Sequence, residues 1–276
     1  MKVSVNTNQS ALISLQNLNA TGNELVTVQN RISTGRRVET AKDNASVWTI
    51  AQSQRGDLGS LNAVRMGLDR ATSIAEVALA AGTNISDLFI LLKEKVVAAR
   101  DTTIDTTSRA LLDQDYRSLV NQINRATRNA EFDGTNLFDG STTDSLSFLA
   151  DAKTSLTITL AAQNLSFGGA IITLSATDSI TTASLATVAL SKVQASIINI
   201  NKALGALGSQ LRQIEAHNIF LTKLSDAVET GIGNLVDADI AKESARLQAL
   251  NVKQELGTQA LSIANRQPQQ ILNLFK

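Results

Sequence analysis

Apolar or small residues recur at alternating steps of three and four in three long segments of the chain. The first series contains no charged residue and runs through Leu61, Val64, Leu68, Ala71, Ala75, Ala78, Gly82, Ile85, Phe89, Leu92, Val96 and Ala99. The second series consists of Leu112, Tyr116, Leu119, Ile123, Ala126 and Ala130. The third series consists of Leu190, Val193, Ile197, Ile200, Leu204, Leu207, Leu211, Ile214, Asn218, Leu221, Ser225 and Val228. This heptad spacing predicts long helices that pack through one apolar stripe each, and so a mainly α fold, an elongated antiparallel helical bundle or coiled-coil rod.

The sequence changes character between the second and third series. Residues 141–191 are rich in Ser and Thr and nearly free of charge. The stretches SLTITL (155–160) and GAIITLS (169–175) both predict short strands in hairpins. The Asp133-Gly134 step is a hairpin turn signal that ends the preceding helical pattern. We therefore expect a small β-hairpin lobe over residues 141–189, set between helices at 46–140 and at 190–236.

The two ends of the chain carry apolar stripes that a single partner helix does not cover. One stripe near the start consists of Ala11, Leu15, Leu18, Gly22, Leu25 and Ile32. The last segment has one stripe at Ala245, Ala249, Val252, Leu256, Ala260 and Ile263, and another on nearly the opposite side at Leu247, Leu250, Leu261 and Ala264. A surface helix needs only one stripe, and a monomer would leave the second exposed. The pattern predicts self-assembly, whereas a buried central helix is the less favoured alternative because terminal segments usually lie at the surface.

The stretch RISTGRRVETAKDNA (31–45) separates the first helical segment from the next. Gly35 is predicted to end the first helix in a left-handed conformation. Asp43 or Asn44 is predicted to cap the helix that begins near Ala45. The basic residues Arg36, Arg37 and Lys42 form either a solvated loop face or a contact with acidic groups of a neighbouring subunit.

The composition of the chain argues against nucleic-acid binding, metal sites and enzyme activity. Lys and Arg number 25, as do Asp and Glu, so no basic excess favours nucleic acid; Cys is absent and His217 is the only histidine. Thiolate and histidine-cluster metal sites are thereby excluded. Gly205 and Gly208 lack the Lys-Ser/Thr of a phosphate loop and are predicted to allow close approach of helices, while Asp237 and Asp239 are predicted to start a helix. We expect no enzyme activity and no cofactor. We also expect no membrane insertion, because no stretch approaches the apolar length needed to span a bilayer and the start of the chain has no signal-peptide pattern.

Three motifs in order along the chain resemble the bacterial flagellins. RISTG (31–35), followed by Ala41, Asp43, Asn44, Ala45 and Ile50-Ala51, is similar to their N-terminal signature. NAEFDGTNLF (129–138) is similar to the turn after their second rod helix, and DADIAKESARL (237–247) with the later Gln267-Pro268-Gln269 is similar to their C-terminal region. The likeness covers roughly residues 1–140 and 190–276, with an outer domain reduced to about fifty residues between them.

The resemblance implies a fold and a function. Residues 1–45 would form an inner-tube helix and a spoke loop, paired with a C-terminal inner-tube helix at 237–276, around which the rod helices lie. The chain would be exported through the flagellar type III apparatus and polymerise, alone or with other flagellins, into the extracellular filament used for motility. Its other partners would be an export chaperone, the filament cap and hook-associated proteins. A hook–filament junction protein is the structural alternative, and an enzyme inserted in the lobe is the functional one, which the absence of His, Cys and Glu from 141–191 disfavours.

The self-assembly residues combine the terminal stripes with the charged loop. The predicted set is Leu15, Leu18, Leu25, Ile32, Arg36, Arg37, Lys42, Asp43, Leu247, Leu250, Leu256, Leu261 and Ile263.

Overall fold

The structure of the chain, a computed structural model, describes residues 7–153 and 156–272, with side chains as far as Arg266. Its helices are α1 (Gln9–Thr34), α2 (Ala45–Ala99), α3 (Thr106–Asn129), α4 (Ala183–Val236) and α5 (Ile240–Leu272). Its strands are β1 (Glu131–Phe132), β2 (Thr135–Asn136), β3 (Leu146–Leu149) and β4 (Thr157–Leu160). The fold is mainly α, as predicted.

The chain divides into two compact units. Unit 1 contains the described residues up to Gly56 and those from Ala227 onward, and unit 2 spans Asp57–Asp226. Helices α2 and α4 contribute residues to both units. The sequence predicts five segments, namely 1–45, 46–140, 141–189, 190–236 and 237–276, and this division remains a prediction.

The core of unit 2 is built from the three heptad series. All twelve residues of the first series are buried on α2, and buried and half-buried residues alternate along the third series on α4 from Leu190 to Leu221. Asn218 donates a hydrogen bond to Asp69, and Ser86 Oγ lies 3.2 Å from Asn201 Oδ1. Because the residue numbers of these partners rise on one helix as they fall on the other, α2 and α4 are antiparallel within unit 2. The predicted antiparallel packing is confirmed.

Close approach of helices occurs at Gly82, and the prediction that Gly205 and Gly208 provide it was wrong. A Cβ atom at Gly82 would overlap the Leu204 side chain and lie 3.2 Å from the Phe138 ring. Around Gly205 and Gly208, no described atom lies within 4 Å of the place where a Cβ would be. These two glycines face away from the seam because they follow Leu204 and Leu207, the residues that point into it.

By length and composition alone, α2 and α4 each contain a segment apolar enough to cross a membrane, with mean hydropathies of 1.5 and 1.3. The prediction that no stretch approaches this length was therefore wrong by that test. Core helices of proteins without membrane spans pass the same test. In unit 2 the apolar stripes of both helices are used in the protein's own core.

One short hairpin precedes the lobe and one lies in it, and of the two strands predicted at the apolar stretches of the lobe only the first forms. Asp133 and Gly134 both have positive φ, 51° and 75°, and join β1 to β2 as the Asp-Gly signal predicts. Strand β4 pairs with β3 in an antiparallel ladder from Leu146–Leu160 to Leu149–Thr157. The prediction of a strand at 169–175 was wrong: Thr173 donates its N–H to the Ser196 side chain of α4 at 3.1 Å, so the segment is held by a helix instead of a neighbouring strand.

A buried polar group fastens the end of the lobe to α3. The Asp113 carboxylate accepts a 2.8 Å hydrogen bond from the Ile180 N–H and a 2.7 Å bond from Arg117 Nε. Tyr116 is fully buried beside it, and no described atom makes a hydrogen bond with its hydroxyl group. Burial raises the pKa of Tyr116, and the negative charges of Asp178 and Asp113 raise it further.

Candidate self-assembly surface

The connecting segment between α1 and α2 is tied by its backbone to the link between α4 and α5, all within unit 1. Gly35 ends α1 with φ 69° and ψ 7°, the left-handed conformation predicted from the sequence. The Arg37 N–H donates to the Val236 carbonyl at 2.7 Å, and the Ala238 N–H donates to the Gly35 carbonyl at 2.9 Å. These bonds place the start of α5 beside the end of α1.

Asp43 and Asn44, the two capping alternatives, have different roles. Asn44 Oδ1 accepts the Val47 N–H at 3.1 Å, so Asn44 caps α2. The Asp43 carboxylate accepts the N–H groups of Glu39 and Thr40 at 3.1 and 2.9 Å, and the Thr40 hydroxyl at 3.1 Å. These bonds, led by the Thr40 backbone N–H, lower the pKa of Asp43 because they stabilise the carboxylate. Asp43 therefore shapes the loop.

A small apolar cluster supports this joint. Val38, Ala51, Ile232 and Val236 are buried together, with Trp48 half-buried against them. The heptad series do not predict the roles of Val38 and Trp48, because Val38 lies in a loop and Trp48 in the first turn of α2. Val38 is an isolated apolar residue in an otherwise polar loop, and this was the one sign in the sequence that it is buried.

The basic side chains of the connecting segment are exposed. Arg36, Arg37 and Lys42 all lie at the surface, and Arg37 Nη2 donates to the Leu235 carbonyl at 2.9 Å. Asp237, whose backbone forms an isolated bridge with Arg36, is also exposed. The segment thus presents charge of both signs on the surface of unit 1.

Helices α1 and α5 form an antiparallel pair, the predicted pairing of the chain ends. Asn8 Nδ2 donates to the Ala264 carbonyl at 2.8 Å near one end. Arg31 Nη1 lies 3.2 Å from Glu243 Oε1 near the other. Between them, a Cβ at Gly257 would lie 3.2 Å from Leu18 Cδ1, so a glycine allows the helices to approach there.

One of the two predicted stripes of α5 lies against α1. Leu250 and Ala264 are buried, and Leu247 and Leu261 are half-buried on the same side. From α1, the predicted residues Leu18, Leu25 and Ile32 are half-buried, with Val28 and Thr21 fully buried between them. Because α1 packs against this stripe, it does not cover the stripe on the opposite side of α5.

The opposite stripe of α5 is exposed along its length. Val252, Leu256 and Ile263 are 56%, 59% and 71% exposed, and Ala245, Ala249 and Ala260 lie beside them. On α1, Leu12, Leu15 and Val26 are exposed as well. We call these nine residues the apolar surface of unit 1. A row of exposed apolar side chains, such as the one along α5, is typical of a site of association with another protein.

Within the described part of the chain, no three His, Cys, Asp or Glu side chains are grouped so as to hold a metal ion. His217 lies in unit 2, where its Nε2 is 2.6 Å from the Ala150 carbonyl at the end of β3. Asp239 Oδ1 accepts the Lys242 N–H at 3.1 Å, which confirms it as a helix-starting residue for α5.

Two family models match the chain on either side of the lobe. The bacterial flagellin N-terminal helical region matches residues 5–143, and the bacterial flagellin C-terminal helical region matches residues 190–275. The chain belongs to the bacterial flagellin family. Flagellin FljJ of Caulobacter vibrioides is 51% identical to this flagellin over 283 residues, covering 100% of this chain and 99% of the relative.

Other full-length relatives carry the same family name. Flagellin FljM of Caulobacter vibrioides is 46% identical, with 99% of this chain and 98% of the relative covered, and a flagellin of Brucella melitensis is 38% identical with 99% of both covered. The crystal structure of Bacillus cereus flagellin matches 56% of this chain and 87% of its own at a TM-score of 0.49 and 20% identity. From the two family models and the full-length relatives, the protein is a structural subunit of the extracellular bacterial flagellar filament, and the hook–filament junction alternative is not favoured.

Proposed function

We propose that this flagellin polymerises into the filament through the apolar surface of unit 1. The observation that carries the proposal is the two-sided α5, with Leu250 buried toward α1 and Leu256 and Ile263 exposed on the other side. Covering such a stripe with another molecule is favourable, because removing each side chain of this size fully from water contributes about 1.5–3 kcal/mol. A second copy of the same chain is the proposed partner, and a helical polymer forms when a patch on one copy contacts a different patch on the next.

The nine apolar residues among the thirteen predicted from the sequence divide between two roles in this proposal. Leu18, Leu25, Ile32, Leu247, Leu250 and Leu261 hold α1 to α5 and so build the assembling element. Leu15, Leu256 and Ile263 contact the neighbouring subunit directly. The first role is supported by half-burial or burial inside unit 1, and the second by exposure.

The charged loop is proposed to orient neighbouring subunits. Arg36, Arg37 and Lys42 present positive charge, and Asp237, whose backbone bridges to Arg36, is exposed, so contact between loops of adjacent copies can pair opposite charges. Asp43 acts indirectly, since its carboxylate folds the loop that carries these residues.

The proposal includes the family's accessory partners and excludes catalysis. An export chaperone, the filament cap and hook-associated proteins are proposed to contact the chain during export and at the ends of the filament. We propose no enzyme activity, cofactor or nucleic-acid partner, because Lys and Arg equal Asp and Glu at 25 each and the lobe contains no His, Cys or Glu.

Salt-induced polymerisation of the purified protein tests this function. We expect filament fragments to seed growth, with sedimentable helical filaments visible by electron microscopy. Protein that stays soluble and monomeric after seeding, at concentrations where a relative such as the Brucella flagellin polymerises, would contradict the proposal.

A further inference from the structure

The only proline of the chain, Pro268, lies inside α5, which continues to Leu272. In an α-helix, each carbonyl accepts a hydrogen bond from the N–H four residues further on, so residue 268 would serve the Ala264 carbonyl. Proline has no N–H and cannot make this bond. The Ala264 carbonyl therefore needs a donor from outside α5.

Asn8, near the other end of the chain, supplies that donor. Its Nδ2 atom donates to the Ala264 carbonyl at 2.8 Å, a bond between residues 256 positions apart in the sequence. Ala264 is buried, with 8% of its surface exposed. Because a buried carbonyl without a donor is costly, this hydrogen bond compensates for the one that Pro268 removes.

The same side chain begins α1. Asn8 is the N-cap of that helix, and its Oδ1 atom accepts the Ala11 N–H at 3.1 Å. Only one orientation of the amide serves both partners, because the Ala264 carbonyl needs a donor and the Ala11 N–H needs an acceptor. Asn8 thus connects the first turn of α1 to the point in α5 where the helical hydrogen bonds are interrupted.

The segment of α5 after Ala264 depends on this support. Proline is the least favourable residue in a helix interior, and the residue before a proline disfavours helical geometry. When α1 is not in place, the segment carries this defect and the Ala264 carbonyl has no donor. When Asn8 is in place, the carbonyl is bonded and the helix continues to Leu272.

We propose that Asn8 and Pro268 form a latch, through which the end of α5 becomes helical only together with the start of α1. The inference deepens the proposed function, since the latch lies in the helix pair through which the chain assembles. A subunit whose N-terminal helix has not yet paired lacks a complete α5, so the assembling element forms only when both chain ends are in place. With any other residue at position 268, α5 completes its hydrogen bonds without α1.

A double-mutant cycle tests the latch in the full-length chain. Asn8→Asp keeps the size of the side chain and the capping oxygen but has no N–H to donate, and Pro268→Ala returns the donor that α5 lacks. The readout is the concentration of soluble subunit in equilibrium with seeded filaments, measured by sedimentation. We expect Asn8→Asp to raise this concentration roughly three- to tenfold, as loss of one hydrogen bond implies. Combined with Pro268→Ala, the same substitution should change it by less than about twofold.

Asn19→Asp is the matched control, because it adds the same charge at an exposed position of α1. Its effect on the soluble concentration should be the same with proline and with alanine at residue 268. Asn8→Ser is the second variant, because serine keeps a capping oxygen without adding charge, while its side chain is shorter and has no amide. Its effect should depend on residue 268 as that of Asn8→Asp does.

Hydrogen exchange of the α5 amides after Ala264, followed by mass spectrometry, reads the latch in a second way. In filaments we expect several-fold faster exchange in Asn8→Asp, and no such increase when Pro268→Ala is also present. An Asn8→Asp effect that is absent, or that is equally large with proline and with alanine at residue 268, would overturn the latch. A parent chain that fails to polymerise would overturn the proposed function instead, and exchange in the monomer then decides the latch by the same comparison.

Discussion

At the residue scale, Tyr116 shows how burial, together with nearby negative charge, controls an ionisable group. Its ring is fully buried in unit 2 beside Asp113 and Asp178, so its charged form is disfavoured and the pKa of the folded state is raised. The pKa of an unfolded tyrosine is about 10. Below that pH the hydroxyl is protonated in both states, and the group has no effect on the pH dependence of stability.

We expect unit 2 to lose stability as the pH rises above about 10, because only the unfolded state then releases the Tyr116 proton. Tyr116 is the only tyrosine, so tyrosinate absorbance should increase together with loss of helical circular dichroism. Tyr116→Phe should remove the absorbance change without destabilising the protein at neutral pH, since the hydroxyl has no described partner to lose. Tyrosinate formation in the fully folded protein would contradict this account.

Leu207 tests the core of unit 2 at the same scale. Its side chain is fully buried in the seam of α4, so Leu207→Ala should lower the free energy of unfolding by about 2–5 kcal/mol through lost burial and the cavity left behind. Leu111→Ala is the matched control because Leu111 is 60% exposed, and its effect should be much smaller. Denaturant unfolding followed by circular dichroism measures both, and equal effects would mean that the heptad assignment is wrong.

Residues in regular series were predictable from the sequence, and residues whose role depends on three-dimensional context were not. The burial of Leu68, Ile85 and Phe89 follows from spacing alone. The different roles of Asp43 and Asn44 do not follow from the sequence. Both side chains can cap a helix, and only the path of the loop decides which one does. Gly82 and Gly205 likewise differ only in which side of a helix they occupy.

At the scale of the element, α1 and α5 bury fewer of their described residues than the helices that form the core of unit 2. Among the residues of α1, only Thr21 and Val28 are buried, whereas α2 has a buried residue at every heptad position of its series. Elements with few buried apolar contacts open most easily. Their apolar stripes are expected to be fully covered only in the polymer.

Brief treatment of the monomer with trypsin should therefore trim both ends and leave a core near residues 45–235. The exposed basic residues Arg36, Arg37, Lys242 and Lys253 are the expected cutting sites. Filaments should resist the same treatment, because assembly covers the terminal helices. Terminal helices as resistant as unit 2 in the monomer would contradict the expectation.

Strands were less predictable than helices in this chain. The alternating pattern of TITL indicates β4, and Asp133-Gly134 indicates the first hairpin, since both signals are local. The similar pattern around Ile172 and Leu174 forms no strand, because those side chains are buried in the core while Thr173 bonds to α4. A strand needs a partner, and the sequence of one segment does not reveal whether another lies beside it.

At the scale of the whole molecule, the chain is one subunit of a polymer, and its sequence predicts this before its structure does. Two opposite apolar stripes on the last segment already indicate more neighbours than one chain supplies. The sequence left open which stripe faces α1, because both contain leucines of equal size. Burial of Leu250 and exposure of Leu256 assign the first to the chain's own pair and the second to the proposed contact between subunits.

Seeded polymerisation of Leu256→Asp, followed by light scattering, tests the central claim most directly. The control Asn251→Asp adds the same charge at an exposed position of α5 outside the apolar surface. Leu256→Asp should leave the melting of the monomer unchanged and abolish growth, because a carboxylate would be buried at the contact without a partner. Asn251→Asp should polymerise like the parent chain. Normal growth of Leu256→Asp filaments would contradict assembly through the exposed face of α5.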